Sequence, residues 1–157
     1  LKETDFSKII FYPNIDTNSE VIIKMLENFA ADKSNHAKIF KPLEMADYLG
    51  VLNSVDLMIG NSSAGIVESP SFKLPVVDIG NRQKGRDCMQ NVIHVSNSKS
   101  AILAGIEKAL SPDFRESLKD MKNIYGDGAA SKKIADELSR IDFANFSLVK
   151  KNFSEQR

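Results

Sequence analysis

Five short apolar runs, each closed by a turn signal and separated from the next by a helical pattern, constrain this chain more than any other feature. They are Lys8–Pro13 (KIIFYP), Ala37–Pro42 (AKIFKP), Asp56–Gly60 (DLMIG), Leu74–Gly80 (LPVVDIG) and Asn91–Ser96 (NVIHVS). Continuous rather than alternating hydrophobicity marks strands covered on both sides, and strands alternating with helices imply parallel pairing. The predicted class is therefore α/β: a Rossmann-like, three-layer α/β/α arrangement around a mostly parallel sheet.

The intervening segments support it. NSEVIIKMLENFAAD places Val21, Ile22, Met25, Leu26 and Phe29 at helical spacing, with Asn18 or Ser19 as the cap. LEMADYLGVLNSV keeps a helical period despite Gly50. A later helix is predicted from a Ser98 or Ser100 cap to Leu110, and another after SPDF, where Pro112 suits the first turn. YGDG (Tyr125–Gly128) reads as a turn before a last helix over about Ala129–Ile141. These boundaries give one domain over residues 1–141 and a C-terminal helix or tail over 142–157. No repeat or low-complexity segment interrupts them.

Composition removes several function classes. The 157 residues carry 21 Lys plus Arg against 21 Asp plus Glu, a formal charge of zero, so nucleic acid and anionic membranes are not the expected partners. No apolar stretch reaches the roughly 20 residues that span a bilayer. The one cysteine, Cys88, forbids an internal disulfide and points to a reducing, cytoplasmic setting. The chain begins at Leu1 and reads as a piece of a longer protein.

Parallel sheets bind ligands outside the carboxyl ends of their strands. That rule selects three segments: 13–18, 60–68 and 80–90. In the second, NSSAG is expected to leave the third strand and open a helix. Its unpaired amides, the Ser62 and Ser63 hydroxyls and the small Ala64 and Gly65 suit a phosphate. Glu68, further into the same helix, suits the two hydroxyls of a ribose. The plainer alternative, a serine N-cap followed by a favourable acidic charge, explains this stretch equally well. In the third segment, Arg82, Lys84 and Arg86 gather on one strand-end loop hinged by Gly80 and Gly85, where arginine can grip phosphate or carboxylate in two-pronged fashion. Neither a G-x-G-x-x-G nor a G-x-x-x-x-G-K-[ST] pattern is present.

Other candidates read as structural. His36 follows a helix, away from that rim. His94 lies inside an apolar strand, where a packed histidine is the expected role. Neither has a partner at metal-ligand spacing, so no metal or other cofactor is expected. Cys88 has Arg86 nearby, which would lower its pKa, but no base partner.

The stretches YPNID, IGNSSAGIVESPSFKLPVVDIGNRQKGR, NVIHV and IYGDG together resemble the UDP-N-acetylglucosamine 2-epimerase family, most of all its hydrolysing branch in sialic-acid-type sugar biosynthesis. The resemblance runs from about Lys8 to Ile141. It implies the C-terminal half of a two-domain GT-B fold, with the N-terminal domain elsewhere in the protein. It further implies UDP-sugar and UDP as ligands, and homo-oligomers of the full-length protein. Residue by residue, Ser62 and Ser63 match the pair holding the diphosphate and Glu68 the ribose acid. Arg82 matches the arginine of the RQ pair, and Asn14 an asparagine facing the sugar nucleotide. Gly65 and Arg86 belong to the same substrate-binding block.

The implied reaction removes the proton at C2, expels UDP and adds water to the glycal. The catalytic acids and bases are expected before Leu1. The non-hydrolysing branch carries two glycines after its phosphate-loop serine where this chain has Ser63 and Ala64. The donor half of a GT-B glycosyltransferase would share the ribose glutamate but not GNRQKGR. A non-catalytic nucleotide-sugar sensor would keep the fold without turnover.

Overall fold

The computed structural model describes residues 4–13 and 19–143. Asn14, much of the first strand-end segment, and residues 144–157 of the expected C-terminal segment lie outside the described residues. The chain divides into two compact units, Leu1–Val55 and Asp56–Arg157.

In the first unit β1 (Lys8–Phe11) pairs in parallel with β2 (Ala37–Phe40), in register from Lys8 opposite Ala37 to Phe11 opposite Phe40. The crossover between them is α1 (Ser19–Ala31) followed by a single 3₁₀ turn, Lys33–Asn35. The Lys8 ammonium donates to the carbonyls of Thr4, Phe6 and Asn35, fixing the start of the pair. α2 (Met45–Ser54) follows β2 and meets β1 through an edge-to-face contact of Tyr48 with Phe11, centroids 5.6 Å apart. The helical stripe differs from expectation. Ile23, Leu26 and Phe29 are partly covered, whereas Val21, Ile22 and Met25 are exposed. The helix is rotated so that Ile23, absent from the expected stripe, turns inward. His36 is exposed at the head of β2, as expected.

The second unit holds β3 (Met58–Gly60), β4 (Val76–Ile79) and β5 (Val92–Val95), all parallel and adjacent in the order β3-β4-β5. Successive residues of a strand face opposite sides, and paired residues of a parallel ladder share one. Val77, Ile79, Ile93 and Val95 therefore lie on one face, under α4 (Lys99–Leu110). Gly105 lets that helix come close: a Cβ there would lie 2.9 Å from Val95 Cγ1 and 3.2 Å from Val77 Cγ1. Val77, Ile106 and Ala109 are buried at the centre of this layer, with Leu57, Ile102 and Leu110 packed around them. On the opposite face lie Met58, Val76, Asp78 and His94. There α3 (Ala64–Val67) approaches through Gly65, whose Cβ would meet Val76 Cγ1 at 2.9 Å. Helices on both faces of a parallel sheet make the three-layer, Rossmann-like α/β arrangement expected from the apolar runs.

Of the expected caps, Ser98 forms its bond, while Asn18 lies outside the described residues. The Ser98 hydroxyl accepts from the Ala101 amide at 3.3 Å to start α4. Ser111 does the same for Phe114 at the head of α5 (Pro112–Ser117), with Pro112 in its first turn. The last helix among the described residues is α6, Ala130–Arg140. No helix among the described residues is long and apolar enough to cross a membrane.

Candidate functional site

The loops after β3 and β4 leave adjacent parallel strands at the same end, so they are neighbours by construction. A buried side chain joins them. The Gln83 Nε2 donates to the Asn61 carbonyl at 2.7 Å, and Gln83 is buried although its loop is otherwise exposed. A strap from the far end of the unit holds the assembly. The Tyr125 hydroxyl donates to the Asp87 carbonyl at 2.7 Å, and the Asn123 Nδ2 donates to Val67 O and Ser71 Oγ, each at 2.9 Å. The IYGDG segment is thus more than a turn, because Tyr125 ties the basic loop at Asp87, while Asn123 just before it ties α3 and the turn that follows.

The serine loop differs from its expected form in two ways. The helix it opens is a single turn, Ala64–Val67, followed by a 3₁₀ turn over Ser69–Phe72. Pro70 lacks an N–H and cannot continue an α-helical ladder. The Ser69 hydroxyl bonds back to the Gly65 carbonyl at 2.7 Å. Few peptide dipoles align in one turn, so anion attraction here rests on local donors rather than on a macrodipole. Glu68 consequently sits at the junction of the two helical turns, not inside one helix.

The second difference concerns which donors remain. The Gly65 amide bonds to Ser62 O at 3.1 Å, and the Ile66 and Val67 amides bond to Ser63 O. Gly65, expected to let backbone reach an anion, uses its missing side chain to pack on Val76 instead. The Ser62 hydroxyl accepts from the Ala64 amide at a long 3.3 Å. Ser63 stands in the capping position but makes no side-chain cap bond. Its hydroxyl, and the amides of Ser62 and Ser63, have no protein partner among the described residues. Glu68 Oε2 is buried and equally unpartnered. A buried carboxylate oxygen without a donor is costly, and a ligand hydroxyl placed there would remove that cost.

The basic loop turns through Gly80 and Gly85, both with φ of +87°, in the left-handed region that favours glycine. Arg82, Lys84 and Arg86 are exposed, and none forms an ion pair among the described residues. A cleft of about 240 Å³ opens beside the loop, walled by Asn81, Gln83, Lys84, Arg86 and His94. His94 is the residue that sequence reasoning misplaced. Its side chain is 49% exposed, while Asp78, on the next strand, is only 3% exposed and accepts from its Nδ1 at 2.8 Å. Asp78 and His94 are register partners on β4 and β5, 16 residues apart, a pairing no local pattern in the sequence reveals.

Cys88 also departs from expectation. Burial pushes its thiol pKa up, and the Asp78 and Asp87 carboxylates add to the shift, while Arg86 opposes it only weakly. A thiol held protonated is a poor nucleophile. Among the described residues no group of three His, Cys, Asp or Glu side chains is placed to hold a metal.

The family model for UDP-N-acetylglucosamine 2-epimerase matches residues 1–139. A UDP-N,N'-diacetylbacillosamine 2-epimerase (hydrolyzing) of Legionella pneumophila is 36% identical over 131 residues, covering 83% of this chain and 33% of that protein. A GDP/UDP-N,N'-diacetylbacillosamine 2-epimerase (hydrolyzing) of Campylobacter jejuni is 40% identical over 110 residues, 70% of this chain and 28% of its own length. The chain thus spans about a third or less of these curated relatives. The crystal structure of UDP-GlcNAc 2-epimerase from Neisseria meningitidis bound to UDP-GlcNAc superposes with a TM-score of 0.62 at 17% identity, over 89% of this chain and 46% of that one, a likeness of fold. By the extent of the family match and the identity to these relatives, this chain belongs to the UDP-N-acetylglucosamine 2-epimerase family.

Proposed function

We propose that this chain is the nucleotide-binding half of a hydrolysing UDP-N-acetylglucosamine 2-epimerase. The full-length protein would convert UDP-N-acetylglucosamine, or a related UDP-sugar, to the free 2-epimer and UDP. Ser62 and Ser63 would hold the diphosphate through their free amides and hydroxyls, and Arg82 would approach it from the neighbouring loop. Glu68 would accept both ribose hydroxyls. Asn14 would face the sugar nucleotide, Arg86 would complete the basic side, and Gly65 would set the seat of α3 that carries Glu68.

The observation that carries this reading is the unpartnered, buried Glu68 Oε2, on the turn that the free Ser62 and Ser63 donors open. That pairing of an acceptor for hydroxyls with donors for an anion fits a nucleoside diphosphate. The hydrolysing branch is favoured because two relatives with that stated activity align with the chain. Proton removal at C2, departure of UDP and addition of water would need acids and bases from the N-terminal domain. This chain alone should therefore turn over no UDP-sugar, and the intact enzyme would work as a cytoplasmic homo-oligomer.

The test is calorimetric titration of UDP into the full-length protein and its Glu68→Ala variant, with sugar products followed by NMR. Tight UDP binding that weakens in the variant, together with release of the free 2-epimer, is the expected result. Unchanged UDP affinity in the variant would remove Glu68 from the site, and a nucleotide-linked product would overturn the hydrolysing assignment.

A further inference from the structure

The cleft beside β5 is not explained by a nucleoside diphosphate seated on the serine loop. Its walls include His94, Lys84 and the Arg86 that the nucleotide reading also uses, but not Ser62, Ser63, Glu68 or Arg82. β5 lies two strand spacings from β3, roughly 10 Å.

The cleft is chemically specific. The buried Asp78 carboxylate can only accept, so His94 Nδ1 carries a hydrogen directed at it and the ring is held by that bond. Nε2 is left for another partner. Lys84 and Arg86 add two cations, against one negative charge from Asp78 beneath the ring. Gln83 lines the cleft but is itself buried, its Nε2 donating to the Asn61 carbonyl at 2.7 Å. Two cations and an imidazole whose Nε2 is left to accept suit an oxyanion that also carries a hydroxyl. The volume of about 240 Å³ is several times the ~30 Å³ of a water and just below the roughly 300–1,000 Å³ of sites for drug-sized ligands.

We propose that the cleft walled by Gln83, Lys84, Arg86 and the Asp78-held His94 is a second anion site that binds a small hydroxylated phosphate monoester alongside the nucleotide. It does not depend on the substrate assignment of the serine loop.

The test uses the full-length protein with ¹³C,¹⁵N-labelled histidine, titrated with glycerol phosphate and, separately, inorganic phosphate and acetate. The His94 resonances, identified by their loss in His94→Ala, should shift saturably with glycerol phosphate, less tightly with inorganic phosphate and not with acetate. Saturating UDP should leave the glycerol phosphate titration within twofold. Lys84→Ala should weaken glycerol phosphate at least tenfold by calorimetry, and His94→Ala should do the same, with UDP affinity within twofold in both. Ser63→Ala should weaken UDP alone. Displacement of glycerol phosphate by UDP would overturn the proposal by making the cleft part of the nucleotide site. So would a glycerol phosphate affinity unmoved in the Lys84 and His94 variants, and tighter inorganic phosphate would overturn the monoester assignment. A protein that binds glycerol phosphate at His94 but no UDP would sink the serine-loop reading and leave this one standing.

Discussion

The β3–β4–β5 sheet shows two unlike faces made from alternate residues of the same strands. Under α4 the face is Val77, Ile79, Ile93 and Val95, and the helix answers with Ile102, Ile106 and Ala109. The other face carries Val76, Asp78 and His94, and its covering element is one short helical turn. The first face buries apolar area, at roughly 25 cal/mol per Å², with no polar side chain in its core cluster. The second buries Asp78, Ser69 and Asn91, each tied by specific hydrogen bonds. If the proposed site is right, stability and ligand chemistry fall to opposite sides of a sheet only one residue thick, and a substitution can be aimed at either.

The largest expected effect lies on the α4 face. Ile106→Ala removes a side chain that is 5% exposed from the centre of the cluster and should cost about 3 kcal/mol in denaturant unfolding. UDP affinity of the molecules that remain folded should not change. A comparable loss of affinity would mean that the two faces are mechanically coupled.

Glu68→Ala makes the converse case. It should lower UDP affinity roughly ten- to a hundredfold, about 1.5–3 kcal/mol, as expected for a lost charged hydrogen bond. Unfolding free energy should hold or rise, because the variant deletes a buried, unpartnered oxygen. Falling stability at constant affinity would place Glu68 on the structural side of the comparison.

The two packing glycines sharpen the contrast, since each would put a Cβ 2.9 Å from a valine methyl. Gly105→Ala and Gly65→Ala should each cost about 2 kcal/mol by overpacking. Only the second should also weaken UDP, because displacing α3 moves Glu68 and the serine loop. Equal effects on affinity, read by calorimetry, would erase the distinction.

The smallest effect is expected at Ser63. Ser63→Ala should change stability by well under the ~1 kcal/mol typical of losing an N-cap, because its hydroxyl caps nothing. UDP binding should nevertheless weaken. Thermal stability and affinity measured on the same preparation decide it, and a loss of stability alone would restore the capping interpretation.

Much of this was legible in the chain itself. Apolar runs announced the five strands of the described residues, and β4 is buried nearly throughout as such a run implies, whereas β1 and β2 leave Ile9 and Phe40 exposed. Ser98 and the Pro112 of SPDF announced two helix starts through chemistry confined to three or four residues. The strand-end rule placed the serine and basic loops on one rim before any coordinates. The misreadings share a cause. The α1 stripe was drawn through Val21 and Met25 because hydrophobicity gives a helix its period but not its rotation about the axis when apolar residues are plentiful. Glu68 falls at the end of α3 rather than inside it because the effect of Pro70 depends on how the turn before it closes.

What the amino-acid order determined by itself is the local and the periodic: element type, caps, glycine hinges, and which residue types stand at strand ends. Tertiary structure decided the partnerships. Gln83 meets Asn61 across 22 residues, Asp78 meets His94 across 16, and Tyr125 meets Asp87 across 38. Each depends on strand register or on the return path of a loop, neither of which leaves a period in the sequence. A histidine in an apolar run looks like core until the ladder sets it opposite a buried carboxylate. It is half-exposed on β5, the outer strand of the β3-β4-β5 sheet.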